Sequence, residues 1–231
     1  MLSSHKLKLK EREEKSREKS RGLKVEKERM KSSGSLLKNL LFVLGRPGSG
    51  KGTCCELLAQ RYPDQILHLS AGELLRRSCE QDPHGQVATC LAAGCIVPSY
   101  VTVGLLQAAM EHAKQQLILI DGFPRTTENR NGFLSALGRD ATAAMLIDVS
   151  EEECIRRLKV RKRHDDHDDG IRQRIHTFEL ETKPILEVYE KEQRLLLVSG
   201  EDVPDRVCLS ASQQLKHRGF LTERKGITGI D

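Results

Sequence analysis

The sequence predicts an α/β protein built on a doubly wound, five-stranded parallel sheet, and three observations carry the prediction. Short apolar runs alternate with helix-compatible segments over residues 36–217. Glycine-rich or acidic signals fall where those runs end. The 231 residues are enough for one sizeable core and short for two. The runs are nearly continuous rather than alternating, as strands need when helices cover both faces of a parallel sheet. Such sheets take their ligands at the carboxyl ends of the strands.

In order, the strands are expected at 39–45 (NLLFVLG), 65–71 (QILHLSA), 116–122 (QLILIDG), 143–149 (AAMLIDV) and 194–200 (RLLLVSG). The first runs into GRPGSGKGT (45–53), whose glycines let backbone N–H groups converge on phosphate oxygens. The helical segment KGTCCELLAQRY follows at once, and its N-terminal dipole end favours the same anion. Lys51 supplies a charge for β- and γ-phosphates. A second helix is expected over VTVGLLQAAMEHAKQQ, ahead of the third strand. After the fourth strand, Ser150 and Glu153 have capping-box form at the start of another helix. No internal repeat is visible.

Composition narrows the function classes. Apolar residues are 38% of the chain, and no stretch reaches the ~20 needed to span a bilayer, so no membrane partner is expected. Aromatics are 3% and tryptophan is absent, which argues against a stacking platform for single-stranded nucleic acid. The seven cysteines show no C-x-x-C spacing and are read as reduced thiols of a cytoplasmic protein. Residues 1–35 carry twelve Lys or Arg and six Glu, net +6, so the rest of this +5 chain is −1. That segment is read as a solvated extension, disordered or a fraying helix; a nuclear address or a phosphate-binding arm are the functional alternatives.

The variant G-x-P-G-x-G-K-G-T resembles the nucleoside monophosphate kinases, and later segments agree. HLSAGELLR (68–76) is similar to that family's first monophosphate-binding segment, GCIVP (94–98) to its base-lining turn and LIDGFPR (119–125) to its third-strand motif. RRLKVRKRHDD (156–166) and RQRIHTF (172–178) resemble its lid and the helix after it. The resemblance implies a P-loop kinase domain over 36–217, with a monophosphate-binding insert at about 70–99, a short lid at about 161–169 and a C-terminal tail at 218–231. It implies γ-phosphoryl transfer from ATP to a nucleoside monophosphate by a monomer, with no nucleic-acid partner.

Carried over residue by residue, the resemblance assigns ATP to Gly48, Ser49, Gly50, Lys51, Gly52, Thr53, Arg157 and Arg161. It assigns the monophosphate to Ala71, Arg76, Cys95, Ile96, Val97, Gly122, Phe123, Pro124, Arg125, Asn129, Arg163 and Arg174. Lys51, Arg125, Arg161, Arg163 and Arg174 would carry catalysis, and Asp121 would hold Mg²⁺ through water. Two polyanions must meet, so a site rich in arginine suits the task. No general base is needed, because the accepting phosphate oxygen is already anionic.

Ala71 and Asn129, with GELL rather than GDLL, resemble UMP/CMP kinases more than adenylate kinases, and an amide serves uracil or cytosine by rotating. An adenylate kinase acting on AMP stays open, as does a non-catalytic nucleotide-binding module, the latter supported by Arg46 and a compressed lid. Arg163 follows Arg161 by only two residues, so both reach the phosphates only if the chain leaves the helix between them. In HDDHDD (164–169) the resemblance makes Asp165 and Asp166 lid aspartates that pair with nearby arginines, with His167 solvated; a metal site is the alternative.

Overall fold

The computed structural model describes residues 38–92, 96–161 and 168–222. The expectations for residues 1–35, Cys95, Arg163, the lid stretch 164–167 and the tail beyond 222 lie outside the described residues.

Strand β1 (Asn39–Leu44) is buried from Leu40 to Leu44 because it is central in the sheet and covered on both faces. The other strands are β2 (Ile66–Ser70), β3 (Leu117–Asp121), β4 (Ala143–Asp148) and β5 (Leu195–Ser199). All pairings are parallel and the order is β2-β3-β1-β4-β5. Each strand falls within its expected run. The order reverses direction at β1 and β3, so a crevice opens between their carboxyl ends, the usual ligand position in such sheets.

Alternate residues of β1 serve two cores. Leu41 and Val43 join Cys55 and Leu58 of α1 (Lys51–Arg61) and Ala211 and Leu215 of α9 (Pro204–His217). Leu40, Phe42 and Leu44 face Val103 and Leu106 of α4 (Ser99–Glu111), Phe133 of α5 (Thr127–Leu137) and Tyr189 of α8 (Lys183–Lys191). Phe42 packs edge-on against Phe123, Phe133 and Tyr189, with ring centroids 5.8, 5.1 and 6.2 Å away. A small separate core of Leu75, Val87 and Val97 joins α2 (Ala71–Gln81), α3 (Gln86–Ala92) and the start of α4. Another, Leu158 with Ile171 and Ile175, pairs α6 (Glu151–Arg161) with α7 (Asp168–Thr177). A single π-helical turn, Phe178–Thr182, joins α7 to α8. No described helix is long and apolar enough to cross a membrane.

The expected capping box at Ser150 is not formed as a reciprocal pair. The Ser150 N–H donates instead to Glu201, 2.7 Å away. Glu153 turns toward Arg156 and Arg157, whose hydrogen bonds hold its carboxyl at about 2. A charged partner outcompetes a backbone N–H for the carboxylate.

At the amino ends of β4 and β5, Asp140 accepts from Arg130, from Tyr189 Oη at 2.7 Å and from Arg194 at 3.3 Å. Both guanidiniums also lie over the Tyr189 ring, at 5.2 and 4.6 Å. Burial raises the Asp140 pKa, but the bonds from Arg130 and Tyr189 outweigh it and hold the carboxyl below its ordinary range. Asp140→Ala leaves the half-buried Arg130 without its carboxylate and Arg194 with Glu192 alone, and should destabilise the protein by about 1–3 kcal/mol at pH 7 in urea titrations. A depressed carboxylate pKa stabilises above the unfolded value, so the gap should shrink as pH falls below about 4.

Candidate functional site

β1 ends beneath the glycine-rich loop, and the loop has almost no room for side chains. A Cβ on Gly48 would lie 2.5 Å from the Cys154 carbonyl oxygen and 3.0 Å from Leu158 Cγ, and its φ is +88°. Gly50 is the N-cap of α1 with φ +84°; it offers no capping side chain, and the first turn of α1 has no acidic residue. The first N–H groups of α1 are therefore left to an outside anion. Ser49 is 1% exposed, and its hydroxyl has no hydrogen-bond partner among the described residues. Thr53, on the same turn, is exposed.

Lys51 Nζ donates to the Arg46 carbonyl at 3.2 Å. Burial pulls its pKa below the ordinary lysine range; Asp121 opposes this, while Arg125 and Arg161 add to it. A polyanion at the loop would reverse the balance and favour the ammonium form. Arg46 itself is engaged by other elements of the protein. Its guanidinium lies 2.6 Å from Glu179 Oε1 and donates to the Val149 carbonyl at 3.1 Å.

Asp121 closes β3 between the two halves of the crevice, level with Val43 of β1 and Ser70 of β2. Its Oδ2 lies 3.3 Å from where a Cβ on Gly52 would sit and 3.9 Å from His68 Nε2. Its Oδ1 is buried and accepts no hydrogen bond among the described residues. A buried carboxylate oxygen without a donor fits a hydrated cation.

On the other side of Asp121 a pocket gathers Ala71, Ile96, Val97, Gly122, Phe123, Arg125 and Asn129, all expected there, along with Gly72, Leu75, Leu91 and Thr102, which were not. Ser70 starts α2 by accepting from the Glu73 N–H at 3.4 Å, so Ala71 and Gly72 form the first turn at the pocket wall. Arg76 is exposed but folds back, its Nη1 3.3 Å from the space a Gly72 Cβ would fill. The aromatic cluster anchors Phe123, and the Phe123–Pro124 peptide is cis. Asn129 is 5% exposed, and its Oδ1 accepts the Arg125 N–H at 3.3 Å. A backbone N–H can only donate, so the amide is held in one orientation and its NH₂ remains for a ligand. The expectation that it rotates to suit either base is corrected on this point.

The remaining arginines stand on α6 and α7. Arg157 Nη1 lies 3.9 Å from a would-be Cβ on Gly50, while its Nε donates to Glu153 at 2.7 Å. Arg161 stands at the last described residue of α6 and is close enough to Lys51 to depress its pKa. Arg174 Nε donates to the Gly170 carbonyl one turn back at 3.1 Å. Among the described residues no group of three or more His, Cys, Asp or Glu could hold a metal, and Asp168 lies 3.6 Å from Lys159.

A family model described as adenylate kinase matches residues 43–194. The UMP-CMP kinase of Xenopus laevis is 37% identical over 182 residues, covering 73% of this chain and 93% of the relative. Probable UMP-CMP kinase 2 of Arabidopsis thaliana is 36% identical over 172 residues, covering 73% and 66%. Adenylate kinase isoenzyme 1 of Caenorhabditis elegans is 34% identical over 177 residues, covering 73% and 83%.

Gly48→Ala combines a left-handed backbone with a collision against the α6 carbonyl. It should destabilise the protein by about 2–4 kcal/mol in urea titration. Gly104→Ala, at a helix position with nothing within 4 Å of the added methyl, should be neutral or slightly stabilising in the same measurement.

Proposed function

The chain belongs to the adenylate kinase family, and from that premise we propose that it transfers the γ-phosphoryl group of ATP to a pyrimidine nucleoside monophosphate, CMP or UMP. The donor is read into the loop 45–53, with its triphosphate on the N–H groups of Gly48 to Thr53 and on Lys51. The acceptor is read into the pocket between α2, α4 and β3, its base against Val97 and Asn129 and its phosphate toward Arg76 and Arg125.

In the reaction an acceptor phosphate oxygen forms a bond to the γ-phosphorus while the bond to the β–γ bridging oxygen breaks. ADP leaves with that electron pair. The attacking oxygen is already anionic, so no base is required, and the chain's work is alignment and charge neutralisation. Arg125, Arg157, Arg161 and Arg174 supply cations around the transferring group, and Arg163 is proposed with them. Bound Mg²⁺ would neutralise charge on the donor phosphates, and the orphaned, buried oxygen of Asp121 is the group that would hold it through water.

The observation that carries the base assignment is the pair Ala71 and Asn129 in one pocket wall. Asn129 offers its NH₂, and uracil and cytosine both carry a carbonyl oxygen at C2 to receive it. The similarity to UMP-CMP kinases supports the same choice; the similarity to an adenylate kinase isoenzyme makes AMP the competitor.

A coupled assay with ATP, Mg²⁺ and each of CMP, UMP, dCMP and AMP tests the proposal. The expected outcome is a kcat/KM for CMP or UMP at least about tenfold above that for AMP, the range for one well-made or missing polar contact. AMP as the best acceptor would overturn the base assignment, and no transfer to any of them would overturn the function. Lys51→Ala should lower kcat by roughly 10²–10³ with the fold intact by circular dichroism.

A further inference from the structure

The sequence offers no signal for the π-helical turn Phe178–Thr182, yet this turn touches both sides of the cleft. On the acceptor side, Thr182 is 6% exposed and its hydroxyl donates to the Arg125 carbonyl at 2.8 Å. The Arg125 N–H is already held by Asn129, so the residue's peptide groups are fixed on both sides. On the donor side, Glu179 lies 2.6 Å from the Arg46 guanidinium, which also sits 5.5 Å over the Phe178 ring. Arg46 in turn lends its carbonyl to Lys51 Nζ.

Arg46 is a cation within a phosphate-binding loop, and its environment says that it is not a phosphate ligand. Glu179 and Asp148, 2.6 and 3.6 Å away, balance its charge, and Val149 takes a further hydrogen bond. Burial raises the Glu179 pKa, but Lys183 and Arg46 overcome it and keep the carboxylate ionised. The guanidinium is thus a strut between the loop and the turn.

We propose that the π-helical turn is a bracket that fixes the spacing of the two substrate loops, with Glu179 and Thr182 as positioning residues that act through Arg46 and Arg125. The inference rests on the phosphoryl-transfer reading for its kinetic consequence but not for its structural one. In-line transfer between two separately bound nucleotides depends on that spacing, and misplacement by a fraction of an ångström costs rate without costing affinity. π turns inserted into α-helices recur at functional sites, where the extra residue redirects side chains.

The test uses the full chain with Thr182→Val, which removes the hydroxyl and keeps the shape, Thr182→Ser, which keeps the hydroxyl, and Glu179→Gln. Amide hydrogen exchange is read first. Thr182→Val should speed exchange in residues 122–126 at least fivefold, and Glu179→Gln in 45–50, with β1 and β3 unchanged. Thr182→Ser should match the parent. Kinetically, Thr182→Val and Glu179→Gln should each lower kcat about tenfold, with calorimetric Kd values for ATP alone and CMP alone within threefold of the parent. Unchanged exchange in both loops would overturn the bracket. So would exchange accelerated through the whole sheet, which means a general loss of stability. Local exchange changes with kcat unaltered would overturn the positioning role. Absence of transfer by the parent itself would instead overturn the phosphoryl-transfer reading, and the exchange results would still decide the bracket.

Discussion

The space beneath the glycine-rich loop constrains everything around it. β1 is buried on both faces and ends against α6, whose Cys154 carbonyl occupies the room that a side chain at position 48 would need. The chain can turn back into α1 only where it has no side chain, and that turn leaves unsatisfied N–H groups aimed outward. The same close approach puts Arg157 of α6 beside the loop and Asp121 of β3 against Gly52. Outward N–H groups, a guanidinium and a carboxylate are thus gathered around one tight turn.

Charge within the cleft is arranged in layers. Lys51 is crowded enough that burial and neighbouring arginines work against its charge, with Asp121 in partial compensation. Such a lysine gains from an arriving polyphosphate more than an exposed one would, because the phosphate replaces lost solvation. Arg46 is handled the opposite way, neutralised within the protein by Glu179 and Asp148. Two cations in one loop are therefore treated differently, one left without a carboxylate partner close by among the described residues and one neutralised by the scaffold. The buried thiols nearby stay out of this chemistry, since burial pushes Cys54 to about 12 and Cys154 to about 11.

The strands were legible because burial on both faces leaves continuous apolar runs, and each falls where its run does. The glycine-rich loop was legible because its steric demand is written in residue types. Much of the pocket was not. Leu75, Leu91 and Thr102 are ordinary buried-face positions of three helices, and only the approach of those helices makes them one wall. Asn129 was identified as a residue but not as a fixed orientation, which depends on the Arg125 N–H across a turn. The capping box failed because Glu153 had Arg156 and Arg157 three and four residues on, a competing local pattern, and Ser150 had Glu201, which lies 51 residues away in sequence. The π turn leaves no periodic trace at all.

The polar cluster around Asp140 ties together the starts of β4 and β5, and Arg139 adds a bond of 2.9 Å to the Lys38 carbonyl just before β1. That end of the sheet lies away from the described residues that line the pocket. On the proposed function, a stabilising polar cluster and the specificity-determining pocket therefore sit at opposite ends of one sheet. A lineage, or an engineer, can rewrite the walls of the pocket while the far pole keeps the molecule folded, and can harden that pole without disturbing the choice of substrate.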